Sequence, residues 1–218
     1  MRRRPGVLLA LLLAVPLVPL AQAQGATTPF AWHASALSAA QRAQMTGRTW
    51  RPGCPVPLSR LRMLSLSYVG FDGGAHVGAL VVNADAVAAT VGAFRALYAA
   101  RFPVRRMVPV DAYGGSDERS MTADNTSAFN CRRVPGTTIW AQHAYGRAVD
   151  LDPLENPEVS ASGVDPPAAA RFADRTRRRP GMIYHGGTAW RAFRSVDWRW
   201  GGDWGSPKDY QHFSANGL

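Results

Sequence analysis

The stretch "AQHAYGRAVDLDP", residues 141–153, carries a histidine, a glycine and two acids, and the reading of the whole chain turns on it. His143 and Asp150 are seven residues apart. On a straight strand they would stand about 23 Å apart and on opposite faces. On a helix they would share a face two turns apart. Neither arrangement brings both side chains to one metal ion, so they converge only if the chain turns between them. Gly146 is where such a turn costs least, because glycine tolerates positive φ. Taken alone, the stretch is better explained by a structural histidine beside a solvated aspartate.

The complement lies 56 residues further on, in "SPKDYQHFS", residues 206–214. Ser206 reads as a helix N-cap, Pro207 fits the first helical position and Asp209 the third. That reading puts Asp209 and His212 on one side of a helical turn. Asp209 then either caps the helix or takes a proton from water beside a metal. His143, Asp150 and His212 together form a three-ligand nitrogen and oxygen set. Such a set suits Zn2+ with a fourth position left for water. It also suits iron(II), which an exported chain without a visible oxygenase fold makes the weaker choice.

Working outward, "SALSAAQRAQM" (35–45) reads as a helix ended by Gly47, and residues 24–34 look loose. "LRMLSLSYV" (61–69) alternates as a strand, "GFDGG" (70–74) is a turn and "HVGALVVN" (76–83) a second strand, which makes a hairpin. Asn83 or Asp85 is placed to cap a helix over 84–101, with Val87, Val91, Phe94 and Leu97 on one face. A third strand is expected near 107–110, loop over 114–126, a strand or strand end at 146–152, irregular chain over 156–179 and a short helix near 188–195. Strands and helices mix without a βαβ rhythm. The fold class expected is α+β, a small antiparallel sheet with flanking helices.

Arg2, Arg3 and Arg4, the apolar run 7–20 and Ala21-Gln22-Ala23 form a secretory signal pattern. An uncleaved anchor is the alternative, but Pro16, Pro19 and the short run argue against a span of about 20 residues. The expected organisation is a signal peptide over 1–23, an N-terminal segment over 24–44 and one domain over 45–218. No stable membrane insertion is expected after signal removal, and the product is expected to be secreted to the cell wall or periplasm. The net charge is +10. Without the signal arginines it is about +7, which draws the protein toward anionic surfaces. The arginines are scattered with no binding motif beside them, so nucleic acid is not an expected partner. Cys54 and Cys131 are the only cysteines. In an exported protein such a pair favours a disulfide over two buried thiols.

"QHAYGRAVD" (142–150) resembles the HxxGxAxD signature of the M15-type zinc peptidases of the cell wall, and "DYQHF" (209–213) resembles their second motif. "GCPVP", "GFDGG", "DNTSAFNCR" and "WGGDW" look like a bacterial branch of that group, in similar order, over roughly residues 45–213. The resemblance implies a Hedgehog/DD-peptidase-like zinc domain. It implies that His143, Asp150 and His212 bind zinc and that Asp209 is the general base. Arg132 matches an arginine facing the developing oxyanion, with Arg133 adjacent. Ser127 and Trp204 are candidate substrate contacts. The implied substrate is a peptidoglycan stem peptide, cut in the manner of a D-Ala-D-Ala carboxypeptidase or an L-Ala-D-Glu endopeptidase. A non-catalytic zinc module of the same fold, binding cell wall or signalling, is the alternative. An amidase on the glycan–peptide link is a third reading. Two departures stand out: Ala141 where the family often has serine, and Asp197-Trp198 where it usually has Gly-Trp.

Overall fold

The computed structural model describes residues 28–218; the signal-peptide reading over 1–23 lies outside the described residues. The hairpin expected from alternation is present as β2 (Leu61–Val69) and β3 (Ala75–Asn83), paired antiparallel. A strand unforeseen in the sequence, β1 (Trp32–Ala36), pairs with the free edge of β2, from Trp32 opposite Leu66 to Ala36 opposite Arg62. The sequence reading has 24–34 loose and a helix from Ser35, so the strand replaces loose chain over 32–34 and the start of the expected helix over 35–36. The order of this strand comes from the edge hydrogen bonds that β2 offers, a tertiary effect with little local signal. Helix α1 (Ala39–Met45) follows, with Ser38 and Gln41 forming a capping box.

Helix α2 (Val87–Ala99) lies on β2, burying Val91, Phe94 and Leu97 on the expected face. Neither Asn83 nor Asp85 caps it. Asn83 donates instead to the Tyr145 carbonyl, and Asp85 pairs with Arg147. No strand forms at 107–110; Met107 makes one isolated bridge to Thr126, and 110–113 is a 3-10 turn. The segment 114–126, expected to be loop, contains α3 (Asp117–Thr122), capped by Ser116 and with two acids in its first turn.

The second half adds β4 (Ala148–Asp150), β5 (Glu158–Ser160) and β6 (Gly163–Asp165). They are followed by α4 (Thr188–Arg194), β7 (Arg199–Trp200), β8 (Lys208–Asp209) and β9 (His212–Ser214). Sheet order is β1-β2-β3, then β4-β9-β7, then β6-β5-β8. The architecture is α+β. One core joins Leu64, Leu66, Leu80 and Val82 of the hairpin to Phe94 of α2, Phe193 of α4 and Phe213 of β9. Phe193 and Phe213 stack with ring centroids 4.0 Å apart, which fixes β9 from the core side. Trp198 and Trp200 also lie in this core.

Cys54 and Cys131 are bonded across 77 residues of sequence. The bond joins the segment before β2 to the chain that leads into the site. The next layer is a buried acidic web. Asp152 accepts from the backbone N–H of Arg105 (2.8 Å) and from Thr126. Arg105 faces Asp124 at 3.4 Å and Glu155 at 3.6 Å. Burial, and then Asp124 beside it, push the Glu155 carboxyl up to about 8.

Two outcomes are expected. Breaking the disulfide by Cys54→Ser with Cys131→Ser lowers unfolding free energy by about 4 kcal/mol, the chain-entropy value for a loop of this length, read by urea titration. Between pH 5 and 8 the folded chain holds a proton on Glu155 that the unfolded chain has released. Stability from this group is therefore present at low pH and lost as pH rises through about 8. Glu155→Gln flattens that decline, on the order of 2 kcal/mol, in urea titrations at the two pH values.

Candidate metal centre

Asp150 and His212 are directly opposite each other in the β4–β9 ladder, and Val149 is opposite Phe213. Side chains alternate along a strand, while directly paired residues share a face. Val149 and Phe213 therefore enter the core, and Asp150 and His212 emerge together on the other side. His143 arrives from a 3-10 turn, Gln142–Tyr145, that precedes β4. The turn closes at Gly146, whose φ is +65° and whose carbonyl accepts from the Asn83 backbone N–H at the end of β3. A Cβ at Gly146 would come within 2.6 Å of that nitrogen. The turn expected between His143 and Asp150 is thus present at that glycine.

The three side chains meet. His143 Nε2 is 3.0 Å from Asp150 Oδ2 and 3.2 Å from His212 Nδ1, and His212 Nδ1 is 3.1 Å from Asp150 Oδ1. All three residues are buried. The remaining ring nitrogens are already engaged: His143 Nδ1 with the Ala128 carbonyl at 2.5 Å, and His212 Nε2 with the Leu218 carbonyl at 3.0 Å. Each donates its ring N–H outward, which leaves the inward nitrogen with a bare lone pair. A tetrahedron with ligand bonds of about 2.0–2.1 Å has edges of about 3.3 Å, and the 3.2 Å between His143 Nε2 and His212 Nδ1 matches one of them. Asp150 faces the two rings through different oxygens, and one donor atom from each of the three residues lies within 4.8 Å of the others. The donor set fits zinc. Burial acts to raise the Asp150 carboxyl, but His143 and His212 hold it well below the usual carboxylate range. Burial opposes charge on His143 too, and Asp150 more than compensates, so its pKa is raised.

Asp209 is not on a helix. The expected N-cap, Pro and acid of 206–209 form no helical turn; Lys208 and Asp209 pair with β5, and His212 to Ser214 pair with β4 and β7. Strand pairing on both sides outweighs a capping signal worth about 1 kcal/mol. Asp209 therefore caps nothing. Its Oδ1 is buried with no hydrogen-bond partner. Burial first, then the neighbouring Asp150 and Glu158, lift its carboxyl to about 7 against the pull of His212 and Arg132. Its approach to the site depends on Gly201, where a Cβ would stand 2.7 Å from the Asp209 carbonyl and 3.2 Å from His212 Cβ.

These groups line a cavity of about 230 Å³. Arg132 lines it as well. Arg133 does not; it stacks on the Trp140 ring at 3.6 Å. Arg132 Nη2 pairs with Asp117 at 2.9 Å, and its Nε is buried without a partner. Burial acts to discharge it, but Asp117, Asp150 and Asp209 keep it firmly cationic. Trp204 lines the cavity with its ring centroid 5.4 Å from that of His212. Ser127 lies behind the site. Its backbone brackets Asp150 with two hydrogen bonds, 2.9 and 3.0 Å, and its side chain is not part of the cavity wall. Ala141 lines the cavity where the family often has serine. Asp197 has φ +64°, a conformation that glycine adopts freely and aspartate tolerates, so the turn survives that departure.

Asp117, Glu158, Asp165 and Gln211 line the cavity and were not singled out by sequence reasoning. The run Ser116-Asp117-Glu118, a cap followed by two acids, was a readable helix start and would have placed Asp117. The β5–β6 hairpin is too short, and its 156–179 surroundings too irregular, for Glu158 and Asp165 to be found.

No curated protein and no solved structure matches the chain. Residues 135–215 match the family model described as D-alanyl-D-alanine carboxypeptidase. That match spans His143, Asp150, Asp209 and His212 together, and it supports a likeness of this segment to the M15-type peptidases.

Proposed function

We propose that this chain is an exported, zinc-dependent peptidase that hydrolyses peptide bonds in peptidoglycan stem peptides, on a Hedgehog/DD-peptidase-like zinc domain. The observation that carries this is the convergence of His143 Nε2, Asp150 and His212 Nδ1, with Asp209 and Arg132 on the same cavity wall. His143, Asp150 and His212 hold the ion, which when bound supplies Lewis acidity to the scissile carbonyl and acidifies water. Asp209 takes the proton of the attacking water and returns it to the leaving amine nitrogen. A carboxyl raised to about 7 is suited to both transfers near neutral pH. Arg132 places a guanidinium where the carbonyl oxygen gains negative charge. Trp204 shields one side of the cavity from water. The disulfide and the leader pattern support a location outside the cytoplasm, in the cell wall or periplasm.

A non-catalytic zinc module gives no reason for a half-buried Asp209 whose Oδ1 is buried and unpartnered beside the ligands. Its Oδ1 lacks any hydrogen bond, an arrangement that costs about 1–3 kcal/mol and that folding alone does not require.

Purified mature protein is expected to release peptide fragments from peptidoglycan, and a chelator is expected to stop the release, with fragment masses identifying the bond. Intact peptidoglycan from several wall types, with zinc bound, would overturn the peptidase reading. Asp209→Asn should keep its zinc, measured by elemental analysis, and lose turnover by about a hundred- to ten-thousand-fold. Replacing His143 or His212 by alanine should instead weaken zinc binding by more than the roughly 100-fold that follows loss of an outer partner, read by competition with a chromogenic chelator.

A further inference from the structure

The third sheet carries a lateral row of acids. Asp165 of β6 is directly opposite Glu158 of β5, and Glu158 is directly opposite Asp209 of β8. Directly opposed residues share a face, and all three line the cavity. The row thus runs from the half-buried Asp209, whose Oδ1 is out of contact with solvent, beside the histidine–aspartate cluster to the exposed Asp165 at the rim. Like charges directly opposed in a ladder are destabilising. The arrangement is also contrary to the chain at large, which is strongly basic.

Of the cavity's carboxylates, three have tasks. Asp150 belongs to the metal ligands, Asp117 pairs with Arg132, and Asp209 stands by the reacting atoms. Glu158 and Asp165 have none: among the described residues neither forms an ion pair. A separate observation points to a nitrogen ligand in the same cavity. Gln211 lines it, is only 3% exposed, and its Oε1 has no hydrogen-bond partner. That oxygen is an acceptor waiting for an N–H.

We infer that Glu158 and Asp165 form a subsite for a cationic amine on the substrate, the side-chain ammonium of a diamino acid next to the scissile bond, with Gln211 accepting an N–H of the same substrate. Strands in a sheet are about 4.8 Å apart, so an ammonium seated between Glu158 and Asp165 lies about 7 Å from Asp209. That distance is within reach of one extended diamino-acid side chain. The row selects against acylated or neutral residues at that position, because they leave both carboxylates unpaired.

This inference rests on the peptidase reading, and its test separates the two. The zinc-loaded mature protein is given two synthetic peptides identical except that the lysine side chain is free in one and N-acetylated in the other. Cleavage kinetics are measured together with calorimetric binding of each intact peptide. The free-amine peptide is expected to show a KM and a dissociation constant lower by about tenfold, with kcat changed much less. The advantage should shrink as salt is raised. Glu158→Gln and, at the exposed rim, Asp165→Asn should each bring the ratio toward one. Equal constants for the two peptides, or a ratio unaltered in both variants, would overturn the subsite even while cleavage stands. Preferential binding without any cleavage would support the subsite and overturn the peptidase reading.

Discussion

The pairing of β4 with β9 is the constraint on which the rest depends. Three residue pairs are enough, because period-two alternation gives each face of that ladder a different job. Val149 and Phe213 are drawn into the core, where Phe213 stacks on Phe193. The hydrophobic term thereby fixes which residues face the other way. Asp150 and His212 are placed by the burial of their neighbours, and their closeness follows from register. His143 is then the only member of the cluster that needs a separate device, and the turn at Gly146, docked on the end of β3, supplies it.

Around this pair the site is layered by charge. Asp150 is kept ionised by the two histidines, and Asp117 pairs with Arg132. Among the carboxyls that burial pushes toward neutrality are Asp209 beside the histidine–aspartate cluster and Asp152 and Glu155 behind it. Asp209 and Glu155 differ in what surrounds them. Asp209 opens on the cavity, whereas Glu155 sits in the web with Asp124, Asp152 and Arg105 that ties the exit of β4 to the chain before α3. One faces open space and the other a closed network.

Much of this was legible in the sequence where local signal and tertiary role agree. The β2–β3 hairpin alternates cleanly, α2 shows its buried stripe, and Gly146 marks the turn that makes His143 and Asp150 compatible. The disulfide followed from two cysteines in a chain with a leader pattern. The sequence misled where tertiary pairing overrode local preference. Ser206-Pro207 with Asp209 at the third position is a sound helix start, yet β5 and β4 each claim part of that segment as strand. Residues 32–36 carry little strand signal and are ordered by the edge of β2. Strands of two or three residues have no period to detect, so β5, β6 and β8, and with them Glu158 and Asp165, were out of reach. Ser127 was noticed for its side chain and matters through its backbone.

The short step between β8 and β9 has a consequence for how this chain can vary. Tyr210 and Gln211 alone separate Asp209, held in one sheet, from His212, held in another. The step works as a ruler. One residue more or fewer would exchange the inward and outward faces of β9, sending His212 into the core and Phe213 to the cavity. The two ladders therefore fix the length of this stretch: an insertion or deletion would undo the site even if every side chain were kept.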